Sequence, residues 1–357
     1  MLIEENKPLA PFTTFGIGGP ARWFVEAASE EEIAEAAAWA KKHAAKLFVL
    51  GGGSNLLISD SGFDGLVLRV ALRGISAQVA TTPSGQTIYQ AAAGEGWDPF
   101  VERTTQAGCA GIECLAGIPG TVGGTPVQNV GAYGQEVASA IERVRAFDLK
   151  SRAFLEFAAT ECGFAYRRSR FNSTDRKRYI VTRVDYRLTP GGAPTVRYSD
   201  LQRALAERGA ESGEPTLPEV AAVVRRVRQA KGMLLVDGDP DCRSAGSFFK
   251  NPVVSEEQLR QIAAVSAKEP PRFPAGSGAE NQDRVKVPAA WLIEQAGFAK
   301  GYTHGAAAIS SRHTLALVNL GEASATEILA LAAAITAAVE ERFGLRLEME
   351  PVMVGFS

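Results

Sequence analysis

Two stretches of this 357-residue sequence combine dense glycine with a complete absence of lysine and arginine. The first is Gly51-Gly52-Gly53-Ser54-Asn55, placed directly after the apolar run Leu47-Phe-Val-Leu50. The second runs from Gly108 to Gly134 and holds eight glycines in 27 residues. Glycine at that density forbids regular helix. What it supplies is backbone that adopts positive φ and comes within hydrogen-bonding distance of a ligand. Successive main-chain N–H groups in such turns form concavities that bind anions. A diphosphate can therefore be held without a basic side chain.

Competing signatures are weaker. No G-x-x-x-x-G-K-[ST] is present, which excludes a P-loop. Gly16-Ile-Gly18-Gly19-Pro20 lacks the final glycine of a dinucleotide fingerprint, and no convincing strand precedes it. Ser247-Phe-Phe-Lys250 fits the S-x-x-K pattern of penicillin-binding enzymes, but the S-D-N-like and K-T-G motifs those proteins need are missing. His43, His304 and His313 have no metal-ligand spacing, and no metal is expected. A tight turn without a ligand would explain either glycine tract alone. Two basic-free tracts in one chain favour a bound anion.

Several elements must position these tracts. Ser29 with Glu30, Glu31 and Glu32 predicts a helix start, since carboxylates in a first turn complement the helix dipole. Ile33, Ala36, Ala37 and Ala40 continue that helix, and Lys41, Lys42 and His43 close it. Leu47–Leu50 and Leu66–Val70 read as strands. Gln86–Ala93 opens a second lobe, in which Thr182, Val184, Tyr186 and Leu188 share one face of a strand. A helix from about Pro218 to Gln229 puts Val220, Val223, Val224 and Val227 on one stripe and Arg225, Arg226 and Arg228 on the other face. Leu234–Arg243, containing Asp-Gly-Asp-Pro-Asp, reads as an exposed loop. Ser324-Ala-Thr-Glu327 is a capping box leading into an apolar helix that ends at Gly344.

Composition narrows the classes. Lys plus Arg is 38 against 40 for Asp plus Glu, a net charge of −2, which argues against nucleic acid as the main partner. The apolar run Ile328–Val339 is interrupted by Thr336 and is too short for the ~20 residues of a membrane span, so no membrane insertion is expected. The N-terminus has acidic residues where a signal peptide needs basic ones. With Cys109, Cys114, Cys162 and Cys242 forming no C-x-x-C pair, the expectation is a cytoplasmic protein with reduced, mostly buried thiols.

Val49-Leu-Gly-Gly-Gly-Ser-Asn-Leu-Leu57 and Gly117-Ile-Pro-Gly-Thr-Val-Gly-Gly-Thr-Pro-Val-Gln-Asn-Val-Gly-Ala-Tyr-Gly134 resemble the two FAD-binding segments of the UDP-N-acetylenolpyruvoylglucosamine reductases (MurB). The resemblance continues through Cys162-Gly-Phe-Ala-Tyr-Arg-Arg-Ser-Arg-Phe171 and Gly246-Ser-Phe-Phe-Lys-Asn-Pro252. It implies an α+β fold: a two-lobed FAD-binding domain of the PCMH/vanillyl-alcohol-oxidase-like type and a smaller C-terminal α/β substrate domain. Lobe 1 would span residues 1–73, lobe 2 residues 74–232 and the substrate domain 233–345, with the strand 346–357 returning to lobe 2. Two lobes would clamp FAD and the third would close over the nucleotide sugar.

The activity so implied is NADPH-dependent reduction of UDP-N-acetylglucosamine enolpyruvate to UDP-N-acetylmuramate through bound FAD, in peptidoglycan precursor synthesis. Non-covalent FAD would rest on Gly51, Gly52, Gly53, Ser54, Asn55, Gly117, Ile118, Pro119, Gly120, Gly123, Gly124 and Thr125. Hydride addition to the vinyl carbon pushes charge into the adjacent carboxylate, so that charge must be stabilised and a proton delivered beside it. Arg167 matches the family's arginine and suits a carboxylate becoming an enolate; taken alone it reads as part of a solvated run with Arg168, Arg170, Arg176, Lys177 and Arg178. Ser247 matches the family's proton donor, whereas any other serine would be read as a cap or loop residue.

The third catalytic group, a glutamate, falls on Glu350. Here Leu347-Glu-Met-Glu-Pro-Val352 departs from the family's Leu-x-Pro-Glu-Val, and Glu348 stands as a rival. Tyr198 aligns with the tyrosine loop of one family subtype, and Lys231 and Asn251 match positions near the nucleotide sugar. A monomer is expected. Two other readings stay open: a flavin oxidase of the same superfamily acting on a small alcohol or sugar, and a non-catalytic binding module.

Overall fold

The computed structural model describes residues 1–79, 85–207, 213–266, 268–275 and 284–356. The chain divides into two compact units: residues 1–7, 21–53 and 64–230 form the first, and residues 8–20, 54–63 and 231–357 the second.

In the first unit, one sheet has the order Glu4–Pro8, Pro20–Ala27, Phe63–Val70, Leu47–Leu50. Its last pair is parallel, Leu47 facing Leu66 through to Leu50 facing Arg69. Helix α1 (Glu30–Lys42) begins at the expected cap, where the Glu32 N–H donates to the Ser29 side chain. Its buried face is Ile33, Ala36 and Ala40. A second, antiparallel sheet has the order Ala153–Ala158, Ile141–Asp148, Tyr179–Pro190, Thr87–Ala92, Ile75–Val79. Arg145 Nε, on that sheet, donates to Glu30 at 2.8 Å, and its guanidinium holds the Glu30 carboxyl below the usual carboxylate range.

Thr182, Val184, Tyr186 and Leu188 are all buried, as their alternation predicts. Helix α2 (Trp97–Gln106) packs there: Trp97, Phe100 and Tyr186 have ring centroids 5.0 to 5.8 Å apart. The buried Tyr186 phenol meets Thr125 Oγ1 at 2.6 Å, tying this core to the second glycine tract. Helices α3 (Ser199–Ala206) and α4 (Leu217–Ala230) complete the unit, with Val220, Val223 and Val224 of α4 buried.

The second unit contains α5 (Glu256–Val265), α6 (Ala289–Gln295) and α7 (Ala325–Phe343). The capping box of α7 forms, and Gly344 ends it in the left-handed conformation at φ +65°. Ile328, Leu331, Ile335 and Val339 from α7 share a core with Phe15, Phe248 and Phe249.

Two expectations are corrected. The final strand, Val352–Val354, does not return to residues 74–232; it pairs in parallel with Leu56–Ile58. The loop around it prolongs the ladder, Val352 N–H donating to the Asn55 carbonyl and Ser59 N–H to the Val354 carbonyl. Residues 234–243 are not simply an exposed loop either, because Asp241 and Cys242 are buried. Asp241 accepts from Ser311 N–H, Ser311 Oγ and Arg312 Nε at 2.6 to 2.9 Å, partners that lie 70 residues on and give no local signal. All four cysteines are buried and unbridged, and burial pushes the Cys114 and Cys162 thiols up to about 12.

Candidate functional site

The two glycine tracts meet. A Cβ on Gly52 would lie 2.5 Å from the Gly120 Cα and 2.7 Å from its carbonyl carbon, backbone atoms that cannot rotate away. Gly120 itself sits at φ +126°, a region closed to other residues. Around this contact the N–H groups of Gly52, Gly53, Ile118, Gly120 and Thr121 have no acceptor among the described residues. Gly53 is buried, Ile118, Gly120 and Thr121 are half-buried and Gly52 is exposed. Buried amides are nearly always paired, so unspent donors from two adjoining tracts form a concavity suited to an anion. That donor set fits the diphosphate of a dinucleotide cofactor.

The segment Gly117–Val122 of the second tract is fixed on both sides. Trp97 N–H donates to the Gly120 carbonyl at 3.1 Å and Val122 N–H to the Glu95 carbonyl at 2.9 Å. Gly117 N–H donates to Asp98 Oδ1 at 2.6 Å, and the Gly117 carbonyl accepts from Arg228 Nε at 2.9 Å. The N–H groups of Gly123, Gly124 and Thr125 are spent on the carbonyls of Ala93, Thr121 and Val122, so these three predicted residues shape the turn instead of donating to a ligand. Pro119 has no N–H and Gly51 faces Thr121, whose Oγ1 a Cβ would approach to 3.1 Å. Ser54 continues the first tract, and Asn55 turns elsewhere: its Nδ2 donates to the Glu350 carbonyl at 3.4 Å.

Ser247 and Glu350 are brought together by a short antiparallel contact. Lys250 N–H donates to the Glu348 carbonyl and Glu350 N–H to the Phe248 carbonyl, both at 2.9 Å, flanking the Phe249–Met349 bridge. Phe248 and Phe249 are 0 % and 1 % exposed and anchor the segment, each costing roughly 3–5 kcal/mol to truncate to alanine. On its other side Ser247 bridges Ala316, and Phe248 N–H donates to the Leu315 carbonyl at 2.7 Å. The Ser247 hydroxyl has no partner among the described residues. Glu348, by contrast, is exposed and ion-paired with Lys250.

Arg167 belongs to the first unit. Its φ is +54°, uncommon for a side chain of its size, and held in place where Ala165 and Arg168 exchange backbone hydrogen bonds. Asn172 Nδ2 donates to the Arg167 carbonyl, and Arg167 Nη2 donates to the Gly131 carbonyl of the second tract, each at 3.1 Å. The rest of the basic run is different: Arg170 and Arg178 pair with Asp175 and Asp148. Tyr198 is the N-cap of α3, 44 % exposed, its ring edge-on to Tyr133 at 5.5 Å. Lys231 follows α4 directly. Asn251 Oδ1 accepts from Ala289 N–H at the start of α6, at 2.9 Å.

Residues 21–151 match the FAD binding domain family, and residues 239–354 match the C-terminal domain of UDP-N-acetylenolpyruvoylglucosamine reductase. The chain is 46% identical over 361 residues to the UDP-N-acetylenolpyruvoylglucosamine reductase of Streptomyces coelicolor, spanning 98% of this chain and 90% of that one. It belongs to the UDP-N-acetylenolpyruvoylglucosamine reductase family. The reductase of Thermobifida fusca is 43% identical, with 99% and 98% of the two chains covered. The crystal structure of the MurB reductase from Thermus caldophilus superposes with a TM-score of 0.66 at 28% identity, covering 99% of each chain. The fold is thus α+β, an FAD-binding domain followed by the reductase C-terminal domain.

Within this reductase-family chain, the residues that pin Gly117 went unnoticed in the sequence. Arg225 and Arg228 show there as one polar helix face. Their i, i+3 spacing puts both on one helix face, but nothing in the sequence links that face to Gly117, and Asp98 gives no signal.

Proposed function

We propose that this protein catalyses the NADPH-dependent reduction of UDP-N-acetylglucosamine enolpyruvate to UDP-N-acetylmuramate. The observation that carries the reading is the set of unspent amides where Gly52 meets Gly120, in a chain of this reductase family. The amides of Gly52, Gly53, Ile118, Gly120 and Thr121 would hold the FAD diphosphate. FAD, when bound, supplies the hydride acceptor and donor of the reaction.

The chain's own residues do the rest. Arg167 presents a permanently charged, forked donor to the substrate carboxylate and steadies the charge that grows there. Ser247, its hydroxyl uncommitted, delivers the proton to the carbon beside that carboxylate. Glu350, one backbone link from Phe248, is the acid group that assists at the same carbon. Asn251 offers its Nδ2, since its Oδ1 is taken. With Tyr198 and Lys231 it would grip the sugar nucleotide. The placement of lobe boundaries near residues 73 and 232 is part of this proposal. So is a cytoplasmic location, where NADPH and the sugar nucleotide are made, and a monomeric state that sedimentation would check. Among the described residues, no helix is long and apolar enough to cross a membrane.

The deciding experiment is a visible spectrum under anaerobic conditions. Purified protein should show a flavin band, lose it on adding NADPH, and recover it on adding the enolpyruvyl UDP-sugar. Protein that stays colourless after incubation with FAD would overturn the reading. Recovery driven only by oxygen, with a small alcohol as substrate, would point to an oxidase.

A further inference from the structure

Gly117 is gripped at its N–H by Asp98 of α2, which α4 holds in turn, and at its carbonyl by a side chain of α4. Its N–H donates to Asp98 Oδ1 at 2.6 Å, and Asp98 is in turn held by Arg225, whose Nη2 and Nε donate to it at 2.8 and 3.1 Å. Its carbonyl accepts from Arg228 Nε at 2.9 Å. Arg225 and Arg228 are three residues apart on α4 and so lie on adjacent turns of the same face. Arg228 is buried, and the loss of water pushes its guanidinium below arginine's ordinary range; Tyr133 shares a hydrogen bond with it. A buried arginine that donates to a glycine carbonyl is a costly arrangement to keep unless that carbonyl's position matters.

Gly117 sets the course of the three residues after it. At the far end of that short run the Gly120 carbonyl is fixed by Trp97 N–H. Between those two pins lie Ile118 and Gly120, whose amides are unspent, and Pro119, whose φ is locked by its ring. The donors are thereby aimed before any ligand arrives, and donors that need no reorganisation bind more tightly.

We propose that Asp98 and Arg225 are positioning residues for FAD, holding Gly117 so that the Ile118 and Gly120 amides point at the diphosphate. The inference rests on the FAD reading above. Neither side chain touches the cofactor in this scheme.

The test is FAD affinity of the apo-protein, measured by flavin fluorescence quenching, with circular dichroism and a melting curve on each variant. Asp98→Ala should weaken FAD binding roughly tenfold or more, the size expected when a buried donor loses its acceptor. Asp98→Asn keeps an acceptor oxygen for Gly117 and should stay within about threefold of the parent on the same scale. At saturating FAD, the KM values for NADPH and the UDP-sugar should not move. A merely structural role would lower the melting temperature and leave FAD affinity below that temperature unchanged, and this result would overturn the proposal. Should Asp98→Ala fail to fold, Arg225→Lys, which keeps the charge and loses the fork, is read by the same comparison. A parent protein that binds no FAD would bring down the functional reading itself, whereas a tight-binding parent with an equally tight Asp98→Ala would bring down this inference alone.

Discussion

Glu350 donates its backbone N–H to the carbonyl of Phe248 at 2.9 Å, so the proposed acid and the residue after the proposed proton donor share one backbone link. The two segments come from opposite sides of a 102-residue span of chain. Because Phe248 and Phe249 are buried and Asn55 Nδ2 holds the Glu350 carbonyl, the link does not depend on either reactive side chain. Substitutions at Ser247 and Glu350 can therefore be read as chemistry instead of as unfolding.

Ser247→Ala should leave NADPH bleaching of the flavin intact while steady turnover falls by at least ~10²-fold, the usual size of a lost general acid. Stopped-flow measurement of both half-reactions separates the two. Equal loss in both would make the serine a structural residue.

Glu350→Gln should cost a similar ~10²-fold in turnover. Glu348→Gln should stay within about twofold, because Glu348 is exposed and its ion pair with Lys250 is of the surface kind, worth little. Turnover of the two purified variants decides; a harmless Glu350→Gln transfers the role to Glu348.

Arg167→Lys keeps the charge and loses the planar fork, so reoxidation of reduced flavin by the UDP-sugar should slow by roughly 10²-fold. NADPH oxidation in the first half-reaction should change little. A lysine variant with full activity would show that charge alone suffices.

Gly52→Ala places a methyl group 2.5 Å from the Gly120 Cα. Either the first or the second tract must shift, and FAD affinity should drop on the order of 100-fold, about 3 kcal/mol. The observable is a purified variant that loses its yellow colour on gel filtration. Retention of parental flavin content would show that the cradle does not hold the cofactor.

Asp148 gives a stability prediction with a defined sign. The Arg178 hydrogen bonds, with help from Lys150 N–H and Ser151, hold its carboxyl far below its ordinary value of 3.8 against the opposing effect of burial. A lowered carboxylate stabilises the fold fully above its unfolded value and loses that contribution as pH falls towards the folded one. Asp148→Asn should therefore lower Tm by roughly 5 °C at neutral pH. The gap should close between about pH 4 and pH 2. A pH-independent gap would assign the loss to packing.

Much of the fold was legible locally. Ser29 with three glutamates, the Ser324–Glu327 box and the Val220–Val224 stripe each announce a helix within one or two turns of sequence, and the helices form there. The glycine tracts stand out in the sequence because absence of basic residues is itself a pattern, and the fold brings Gly52 against Gly120. What stayed hidden depends on partners distant in sequence: Asp98 with Arg225, Asp241 with Arg312, and the last strand with Leu56–Ile58. Each is one charged or short apolar residue whose type fits a surface loop equally well. Nor does any local pattern show that the Gly123, Gly124 and Thr125 amides are already spent in the fold.

The interleaved make-up of the two units has a bearing on how the molecule is built on the ribosome. The first unit draws its last residue from position 230, while the second needs strand Val352–Val354 to sit beside Leu56–Ile58. During synthesis the nascent chain can thus complete the glycine-lined half early, and strand Leu56–Ile58 must wait for a partner made some three hundred codons later.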